Sequence, residues 1–292
     1  MQESTYTEFP CDICGSSDAV EIPHVRDYTG GQPIHICTKC GFVYVQQRRS
    51  AEAIAEVWSE EIFGAGYTAA IPAVRARLTF VAEFINTHLN LQGKRVCDIG
   101  AGEGDFLDII RQPKYSASVF GIEPSQNNCA RMKNMGIENY MGTIEDYAAS
   151  GGTRRFDIAT MTWTIENSQS ARRMLEVAHN LLEEGGYVVV ATGSRILVPF
   201  KKPLYMYLGK RPTDSHSFRF SACTLQAMLA VSQFEVVHTN RYVDHDVLCM
   251  IAIKKGKEEK ISWKGDNYLE VYNFFERWHA DTSIYFPRSN SS

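Results

Sequence analysis

The sequence of 292 residues predicts an α/β fold with a doubly wound sheet, preceded by a small cysteine-rich module. Short apolar runs alternate with segments of helical periodicity along most of the chain, which is the pattern of strands and helices in such sheets. One apolar run, residues 96–99, leads through three alternating glycines into the apolar pattern of a helix. This strand–turn–helix passage marks a ligand-binding edge of a sheet. Two C-x2-C pairs stand apart near the N-terminus.

The cysteine-rich module contains two C-x2-C pairs, each followed by a glycine that permits a tight turn. Four thiolates in this arrangement suit a tetrahedral zinc ion, and so short a segment usually needs a metal to fold. We therefore predict a structural zinc ribbon over residues 1–50, since four protein ligands leave no open coordination position. Two disulfides are the alternative, which a cytosolic location disfavours. The predicted ligands are Cys11, Cys14, Cys37 and Cys40.

Residues 51–92 are predicted to form a helical linker or lid. A first helix carries apolar residues at Ile54 and Trp58 and is interrupted by the glycines at positions 64 and 66. A second helix is predicted over about 70–90, where apolar residues recur at helical spacing. Tyr67 lies in the predicted break between the two helices.

The glycine loop at residues 100–104 discriminates between ligand classes. The loop does not match the dinucleotide fingerprint G-x-G-x-x-G, because Asp105 occupies the position of the third glycine. It does not match a P-loop either, because no Gly-Lys-Ser/Thr follows. Carboxylates at Asp98 and Glu103 suit a ligand that carries an ammonium group and no phosphate, because opposite charges attract. The loop is therefore predicted to hold a nucleotide-like ligand other than a dinucleotide.

This loop resembles motif I of the class I S-adenosylmethionine-dependent methyltransferases, an acid-x-Gly-x-Gly-x-Gly pattern that here runs from Asp98 to Gly104. The resemblance implies a Rossmann-like, seven-stranded sheet and S-adenosylmethionine as the cofactor. Glu123 ends a second predicted strand, 25 residues after Asp98. In this family the acid at that place hydrogen-bonds both ribose hydroxyls, whereas the alternative is an ordinary surface acid.

Other passages match the same family. Met141–Tyr147 corresponds to its adenine-flanking loop, and Phe156–Glu166 resembles its fourth strand and the segment after it. Tyr67 is similar to an aromatic residue that several zinc-ribbon relatives place over the methionine end of the cofactor. The cofactor-binding residues that the resemblance implies are Tyr67, Asp98, Gly100, Ala101, Gly102, Glu123, Pro124, Thr143, Ile144, Thr162 and Trp163.

The cofactor-binding domain is predicted over residues 93–255. Its strands are expected near 95–99, 118–122, 138–141, 156–161 and 187–192. Two more strands, near 234–242 and 247–254, have the pattern of the antiparallel hairpin that ends such sheets. A helix over 171–182 is predicted to stop at the pair Gly185-Gly186.

The connection at residues 194–220 is long for its place in the fold, and such connections are often functional. It is basic in an otherwise acidic chain, and it leaves the sheet at the carboxyl ends of the strands, where ligands bind. We interpret it as a substrate-capping insertion that grips an anionic acceptor such as a nucleotide diphosphate, while a solvated loop face is equally compatible. Its cations include Arg195, Lys201, Lys202, Lys210, Arg211 and Arg219.

His216 in this connection is the first candidate for the catalytic base. The passage from His216 to Leu225 resembles one in the zinc-ribbon sugar C-methyltransferases of the tylosin and tetronitrose type, whose matching histidine belongs to a Tyr-His-Glu-His group. Here Thr213-Asp214-Ser215 precede the histidine, and the third domain of those enzymes is missing, so O-methylation is as compatible as C-methylation. His216 could instead cap the helix that begins near Ser221. Glu166 and Trp163, after the fourth strand, are candidates for contact with the acceptor or the methyl group, and His245 in the terminal hairpin is a further, weaker candidate for the base.

Residues 256–292 are predicted to form a C-terminal aromatic helix and tail. Aromatic residues at positions 268, 272, 275 and 278 fall on one helical face. Such a face either docks on the same chain or makes a homodimer contact.

Composition bounds the function. A formal net charge of −4 gives no electrostatic footprint for nucleic acid, and no apolar run is long enough to predict a membrane span. We predict a cytoplasmic S-adenosylmethionine-dependent methyltransferase that acts on a small polar acceptor, an anionic sugar nucleotide by analogy with the zinc-ribbon relatives. The alternatives are an RNA methyltransferase that uses the ribbon to bind RNA, and a non-catalytic cofactor-binding interaction protein.

Overall fold

The computed structural model describes residues 6–61, 65–195, 202–209, 211–241 and 243–286, with the backbone alone at 59–61 and 65–71. Its strands are β1 (Thr7–Glu8), β2 (Ala19–Glu21), β3 (His35–Cys37), β4 (Val43–Tyr44), β5 (Gln47–Arg48), β6 (Arg95–Ile99), β7 (Ser118–Glu123), β8 (Asn139–Met141), β9 (Phe156–Thr162), β10 (Leu182–Thr192), β11 (Phe218–Arg219), β12 (Phe234–Thr239) and β13 (Leu248–Lys254). Its α-helices are α1 (Val25–Thr29), α2 (Ala51–Glu61), α3 (Ala65–Leu89), α4 (Asp105–Ile110), α5 (Gln126–Asn134), α6 (Ile144–Ala149), α7 (Ala171–Leu181), α8 (Leu204–Leu208), α9 (Ala222–Val231) and α10 (Tyr268–Thr282). Single turns of 3-10 helix lie at Ile165–Asn167, Thr213–His216 and Ser283–Tyr285.

A seven-stranded sheet forms the centre of the molecule, in the order β12-β13-β10-β9-β6-β7-β8. Strand β13 is antiparallel to both of its neighbours, and the other neighbouring pairs are parallel. This confirms the predicted Rossmann-like sheet and its terminal hairpin. The chain runs outward from β6 to β8 and then returns to β9 on the other side of β6, so the topological switch point lies between β6 and β9. Ligands of open α/β sheets bind at that point.

Helices cover both faces of the sheet, as doubly wound folds require. On one face, side chains of α3, α4 and α5 pack against alternate strand residues such as Val96 and Ile158. On the other face, side chains of α6, α7 and α9 pack against Cys97 and Ala159. Strand residues thus alternate between two cores, which is why the strands have near-continuous apolar sequences. Each fully buried large apolar side chain contributes about 1.5–3 kcal/mol relative to an exposed one.

The N-terminal cysteine module folds around a four-stranded antiparallel sheet in the order β11-β4-β3-β2. The outer strand β11 comes from the distant 194–220 connection, where Phe218 pairs with Tyr44 and Arg219 pairs with Val43. The N–H of Val45 also donates to the carbonyl of Ser217 at 2.8 Å. The module is therefore completed by the connection that the sequence interprets as a substrate cap.

The C-terminal helix α10 packs on this module. Its buried side chains are Val271, Phe275, Trp278 and Thr282, spaced as one helical stripe. They form a third core with α8 and with strand residues such as Ile36 and Val43. The buried stripe thus lies beside the predicted face, with Tyr268 and Tyr272 at its edge. Because α10 buries the stripe within the chain, the predicted homodimer would need a different surface of this helix.

Three boundaries differ from the predicted ones. Helix α7 ends at Leu181, since Leu182 takes an extended conformation and pairs with Phe156 in β9. The glycine pair lies inside β10, where the register of pairing with β9 shifts between Leu182 and Tyr187. Helix α3 begins at Ala65 and β12 ends at Thr239. Within the described part of the chain, no helix is both long and apolar enough to cross a bilayer.

Candidate active site

A cavity of about 700 Å³ opens at the carboxyl ends of β6, β7 and β9, between the sheet and the helices α2 and α3. It lies at the topological switch point, where the fold predicts a ligand. The structure brings most of the predicted cofactor residues together on its wall. Those that line it are Gly100, Ala101, Gly102, Glu123, Pro124, Thr143, Ile144, Thr162 and Trp163.

The glycine loop presents bare backbone to this cavity. Gly100, Gly102 and Gly104 all have positive φ, between +55° and +85°, a region that favours glycine. A Cβ at Gly100 would lie 2.3 Å from the Thr164 side chain, so packing excludes one there. At Gly102, no described protein atom lies within 4 Å of the position that a Cβ would take. The loop therefore fits a ligand that approaches the backbone of Gly102 closely.

Glu123 lies beside the glycine loop and is hydrogen-bonded to it. Its Oε2 accepts a hydrogen bond from the Gly102 N–H at 2.8 Å, and its Oε1 accepts from the Ser125 N–H at 3.0 Å. Burial raises the pKa of Glu123, and these donors partly oppose the shift. A carboxylate oxygen has more than one lone pair, so Oε2 can still accept a ribose hydroxyl. The position and the donor set of Glu123 fit the predicted ribose contact.

Asp98 lies inside the sheet and does not line the cavity. It is fully buried, and its Oδ1 accepts from the hydroxyl of Thr160 at 2.6 Å. Its Oδ2 has no hydrogen-bond partner among the described residues. Burial raises the pKa of Asp98 to about 7. The structure therefore places Asp98 directly before the glycine loop but outside the cavity lining, and its predicted contact with the cofactor stays a prediction.

The predicted adenine-flanking loop is rigid. The Thr143 hydroxyl accepts from the Asp146 N–H at 3.1 Å, while the Asp146 carboxylate accepts from the Thr143 N–H at 2.9 Å, which is a capping box. Ile144 is buried directly after this cap and lines the cavity. A fixed backbone beside an apolar side chain suits a flat heteroaromatic base.

Trp163 has a strained backbone at the end of β9. Its φ of 55° is rare for a bulky residue and costs of order 1–3 kcal/mol. Its backbone N–H donates to the Ala191 carbonyl at 2.7 Å, and its indole N–H donates to the Asp246 carbonyl at 3.2 Å. Such strain occurs most often at functional sites. Contacts with β10 and with the loop before β13 thus hold Trp163 in the cavity wall.

Arg77 in α3 is a cavity residue that sequence reasoning missed. Its guanidinium lies 4.9 Å from the centre of the Trp163 ring. Its Nε is buried without a hydrogen-bond partner among the described residues. A guanidinium in this state suits a ligand carboxylate, which it can bind through two parallel hydrogen bonds. No sequence signal singled it out, because an arginine beside the apolar stripe of a helix is common.

Two of the three predicted catalytic residues line the same cavity, Glu166 and His216. Glu166 is only 7% exposed, its Oε2 has no hydrogen-bond partner among the described residues, and burial raises its pKa to about 7. His216 ends a 3-10 turn, and its ring lies 5.0 Å from that of Trp58 in an edge-to-face contact. Ser221, not His216, caps α9.

Of the two remaining predicted side chains, the structure describes that of His245 but not that of Tyr67. His245 is exposed and lies outside the described cavity lining, and its carbonyl accepts from the Ser194 N–H at 3.0 Å. The backbone of Tyr67 lies in α3, and its side chain is outside the described residues.

The described cations of the 194–220 connection do not line the cavity, contrary to the interpretation of an anion-gripping cap. Arg195 is buried in an ion pair with Asp266. Arg219 is buried and donates to the His216 carbonyl at 3.0 Å. Arg211 donates to the Tyr28 carbonyl. These cations hold the fold together, while Lys201 and Lys210 lie outside the described residues.

The four cysteines of the N-terminal module converge on one point. Their Sγ atoms all lie within 4.8 Å of one another, with Cys11 and Cys40 at 3.5 Å and Cys14 and Cys37 at 3.4 Å. A tetrahedral zinc ion with bonds of about 2.3 Å needs sulfur atoms about 3.8 Å apart, whereas a disulfide needs about 2 Å. The four thiols are not disulfide-bonded. The donor set and its spacing fit zinc.

Known methyltransferases are similar to this chain in sequence. The chain is 28% identical over 133 residues to a ubiquinone biosynthesis O-methyltransferase of Coxiella burnetii, which covers 44% of this chain and 54% of that protein. It is 31% identical over 141 residues to a ubiquinone/menaquinone biosynthesis C-methyltransferase of a Geobacter species, covering 44% and 59%. The chain thus spans about half the length of the curated relatives it matches.

Solved structures share the fold. An S-adenosylmethionine-dependent methyltransferase from Thermotoga maritima superposes with a TM-score of 0.54 at 21% identity, over 69% of this chain and 100% of that one. A 1,6-didemethyltoxoflavin-N1-methyltransferase from Burkholderia thailandensis, solved with its acceptor and S-adenosylhomocysteine, gives 0.54 at 14% identity, over 74% and 96%. A family profile described as a methyltransferase domain matches residues 73–239, more than half of the chain. The chain therefore belongs to the methyltransferase domain family.

Proposed function

We propose that the protein transfers the methyl group of S-adenosylmethionine to a small polar acceptor. One observation carries the proposal: a single cavity is lined both by the open glycine loop and by Glu166 and His216, two groups that can accept a proton. A transferase of this kind needs a donor site and a proton acceptor within one water-excluding space.

On the donor side, each residue has a defined task. Glu123 accepts the ribose hydroxyls, Gly102 lets the ligand approach the backbone, and Ile144 packs against the adenine. Arg77 binds the methionine carboxylate, because it is a cavity-lining guanidinium whose buried Nε has no hydrogen-bond partner among the described residues. When bound, S-adenosylmethionine supplies a methyl group on a positively charged sulfur, which is a good leaving group.

On the acceptor side, Glu166 is the base that removes a proton from the attacking group. A pKa near 7 matches the working pH, which makes a carboxylate an effective proton acceptor. His216 lies across the same cavity as a second base or as an orienting hydrogen-bond partner. This pair serves the hydroxyl of an O-methylation or the acidic carbon of a C-methylation. His245, which is exposed, is a weaker candidate.

We propose a small polar molecule as the acceptor. The resemblance to the zinc-ribbon sugar methyltransferases suggests a sugar as its class. The charges of the cavity do not favour an anionic nucleotide diphosphate. Its described lining contains only Arg77 and Arg173 as basic residues besides His216. The acids of this lining are Glu52, Glu103, Asp105, Glu123, Glu145, Asp146 and Glu166. The names of the curated relatives make a quinone precursor a second acceptor class to test.

We also propose that the cysteine module holds a structural zinc ion and that the protein works in the cytoplasm. The spacing of the four sulfur atoms supports the zinc proposal. The cytoplasmic location goes with it, because thiol ligands must stay reduced to bind the ion, and disulfides form in oxidising compartments.

The test uses S-adenosylmethionine labelled in its methyl group, incubated with sugar nucleotides, neutral sugars, hydroxylated quinone precursors and total RNA in parallel. Label in a small-molecule fraction supports the proposal. Label in RNA alone would refute it in favour of the RNA-acting alternative. Tight binding of S-adenosylhomocysteine, with no transfer to any fraction, would instead support the non-catalytic binding protein. The variant Glu166→Gln is the control, since it should bind S-adenosylhomocysteine normally and transfer label roughly 10²–10⁴-fold more slowly.

A further inference from the structure

Beyond the glycine loop, the lining of the cavity comes from segments that are distant in sequence. Helix α2 supplies Glu52 and Trp58, the passage after β9 supplies residues 166–170, and the 194–220 connection supplies His216. The described lining contains no residue before Ala51. The cysteine module therefore does not line the cavity itself, yet its last residues lie directly before α2.

Arg49 at this junction makes a forked ion pair with Asp214, two residues before His216. The Arg49 Nη2 donates to Asp214 Oδ1 at 2.7 Å, Nε donates to Oδ2 at 2.9 Å, and the backbone N–H of Arg49 donates to Oδ2 at 2.8 Å. The Asp214 side chain is fully buried, and that of Arg49 is 9% exposed. A carboxylate that accepts from both a guanidinium and the backbone of one residue has little freedom to move.

Neighbouring contacts connect the same junction to the other wall segments. Arg48 donates to the Gln169 carbonyl at 2.6 Å, and the Gln169 side chain donates back to the Arg49 carbonyl at 2.8 Å. The indole N–H of Trp58 donates to the Ser215 carbonyl at 3.0 Å. All three wall segments thus meet at Arg48 and Arg49.

We propose that Arg49 and Asp214 are positioning residues, which hold His216 and Trp58 at the acceptor end of the cavity and so make the cysteine module a scaffold for acceptor recognition. The inference rests on the proposed function, in that it assigns the glycine-loop end to the donor and the opposite end to the acceptor. The pair acts through His216 and touches no reacting atom. Misplacement of a reacting group by about 1 Å can cost roughly 10²-fold in rate, so a fixed carboxylate two residues away is a sufficient device.

The test replaces the whole pair with Arg49→Met and Asp214→Leu, because an apolar pair of similar volume keeps a fold intact where a single replacement would bury an unpaired charge. The matched control is Arg95→Met with Asp157→Leu. Arg95 makes the same contacts to Asp157 through its backbone N–H, Nε and Nη2, but at the amino ends of β6 and β9, opposite the cavity. Arg49→Lys is the conservative variant, which keeps the charge and loses the fork.

Two readouts are needed. The first is the NMR signal of the His216 ring, assigned by its loss in His216→Gln, which should shift in the Arg49/Asp214 variant, shift less in Arg49→Lys and stay unchanged in the Arg95/Asp157 control. The second is the affinity for S-adenosylhomocysteine, which should stay within about twofold of wild type in all of them, because no donor-site residue is changed. An unmoved His216 signal in the folded Arg49/Asp214 variant would overturn the inference. Failure of the wild-type protein to bind S-adenosylhomocysteine would count against the proposed function and leave the His216 result standing.

Discussion

Glu166 shows how one buried carboxyl can determine both rate and stability. Glu166→Gln should lower the transfer rate by roughly 10²–10⁴-fold, and the wild-type rate should fall as the pH drops through about 7, because a base must be deprotonated. The variant should also unfold less readily at pH 8. The folded-state pKa is raised, so the stability contributed by protonated Glu166 is present below pH 4.5 and is lost as the pH rises through about 7.

At pH 8 the wild-type protein holds a buried charge that the glutamine variant lacks. The free energy of unfolding of the variant should therefore be higher by about 3 kcal/mol. Denaturant unfolding at pH 4 and pH 8 measures it. Glu258→Gln, on the exposed loop after β13, is the control and should change neither rate nor stability. Equal stability of Glu166→Gln and wild type at pH 8 would show that Glu166 is not a buried charge.

Arg77 can be tested without knowledge of the acceptor. Arg77→Met should weaken the binding of S-adenosylhomocysteine by about 10- to 150-fold, since a hydrogen bond to a charged group contributes about 1.5–3 kcal/mol. Methylthioadenosine, which lacks the carboxylate, should bind the variant and wild type equally. Arg75→Met, two residues earlier and exposed, should leave both affinities unchanged. Calorimetric titration measures them, and an equal loss for both ligands would contradict the carboxylate contact.

Single residues also show what the sequence could predict. The glycine loop and Glu123 were predictable, because glycines at close spacing after a strand have few other physical explanations. The role of Arg77 was not predictable, since it depends on the contact of Arg77 with Trp163, which is distant in the sequence. Asp98 was predicted at the right strand end, but its side chain turns into the sheet toward Thr160.

At the scale of elements, the strands of the seven-stranded sheet followed from apolar periodicity, whereas the short strands of the cysteine module, β11 among them, were not predicted. Strand β11 has only two residues, Phe218 and Arg219, and it exists because β4 offers it an edge. The basic connection shows the same limit, since its described cations do not line the cavity. Arg195 is buried in an ion pair with Asp266, and Arg219 is buried in a contact with a backbone carbonyl. A sequence does not distinguish such cations from those that face a ligand.

The cysteine module gives a prediction at this scale. The purified protein should contain about one zinc ion per chain, and a strong chelator should free four thiols and lower the melting temperature. Binding of S-adenosylhomocysteine should persist below that temperature, because the described cavity lining begins at Ala51. Metal analysis measures the zinc content, and thiol titration measures the thiols that the chelator frees. A protein without zinc whose four thiols react at once would contradict it.

At the scale of the whole molecule, the two chain ends stabilise each other through α10. Trp278 is fully buried, and its indole N–H donates to the Lys202 carbonyl at 2.9 Å. Trp278→Ala should therefore reduce the free energy of unfolding by about 3–5 kcal/mol. Trp263→Ala, at a side chain that is 39% exposed, should change it much less. Chemical denaturation measures both, and similar losses would mean that α10 does not dock as described.

The strand pairing between β4 and β11 has a consequence for how the chain is made. Residues 44 and 218 must meet before the N-terminal sheet is complete, so this sheet cannot finish while only the first part of the chain has left the ribosome. Until then β4 is an open strand edge, which invites pairing with other chains. The first 50 residues expressed alone should therefore aggregate even when zinc is supplied, although by sequence they look like an independent unit.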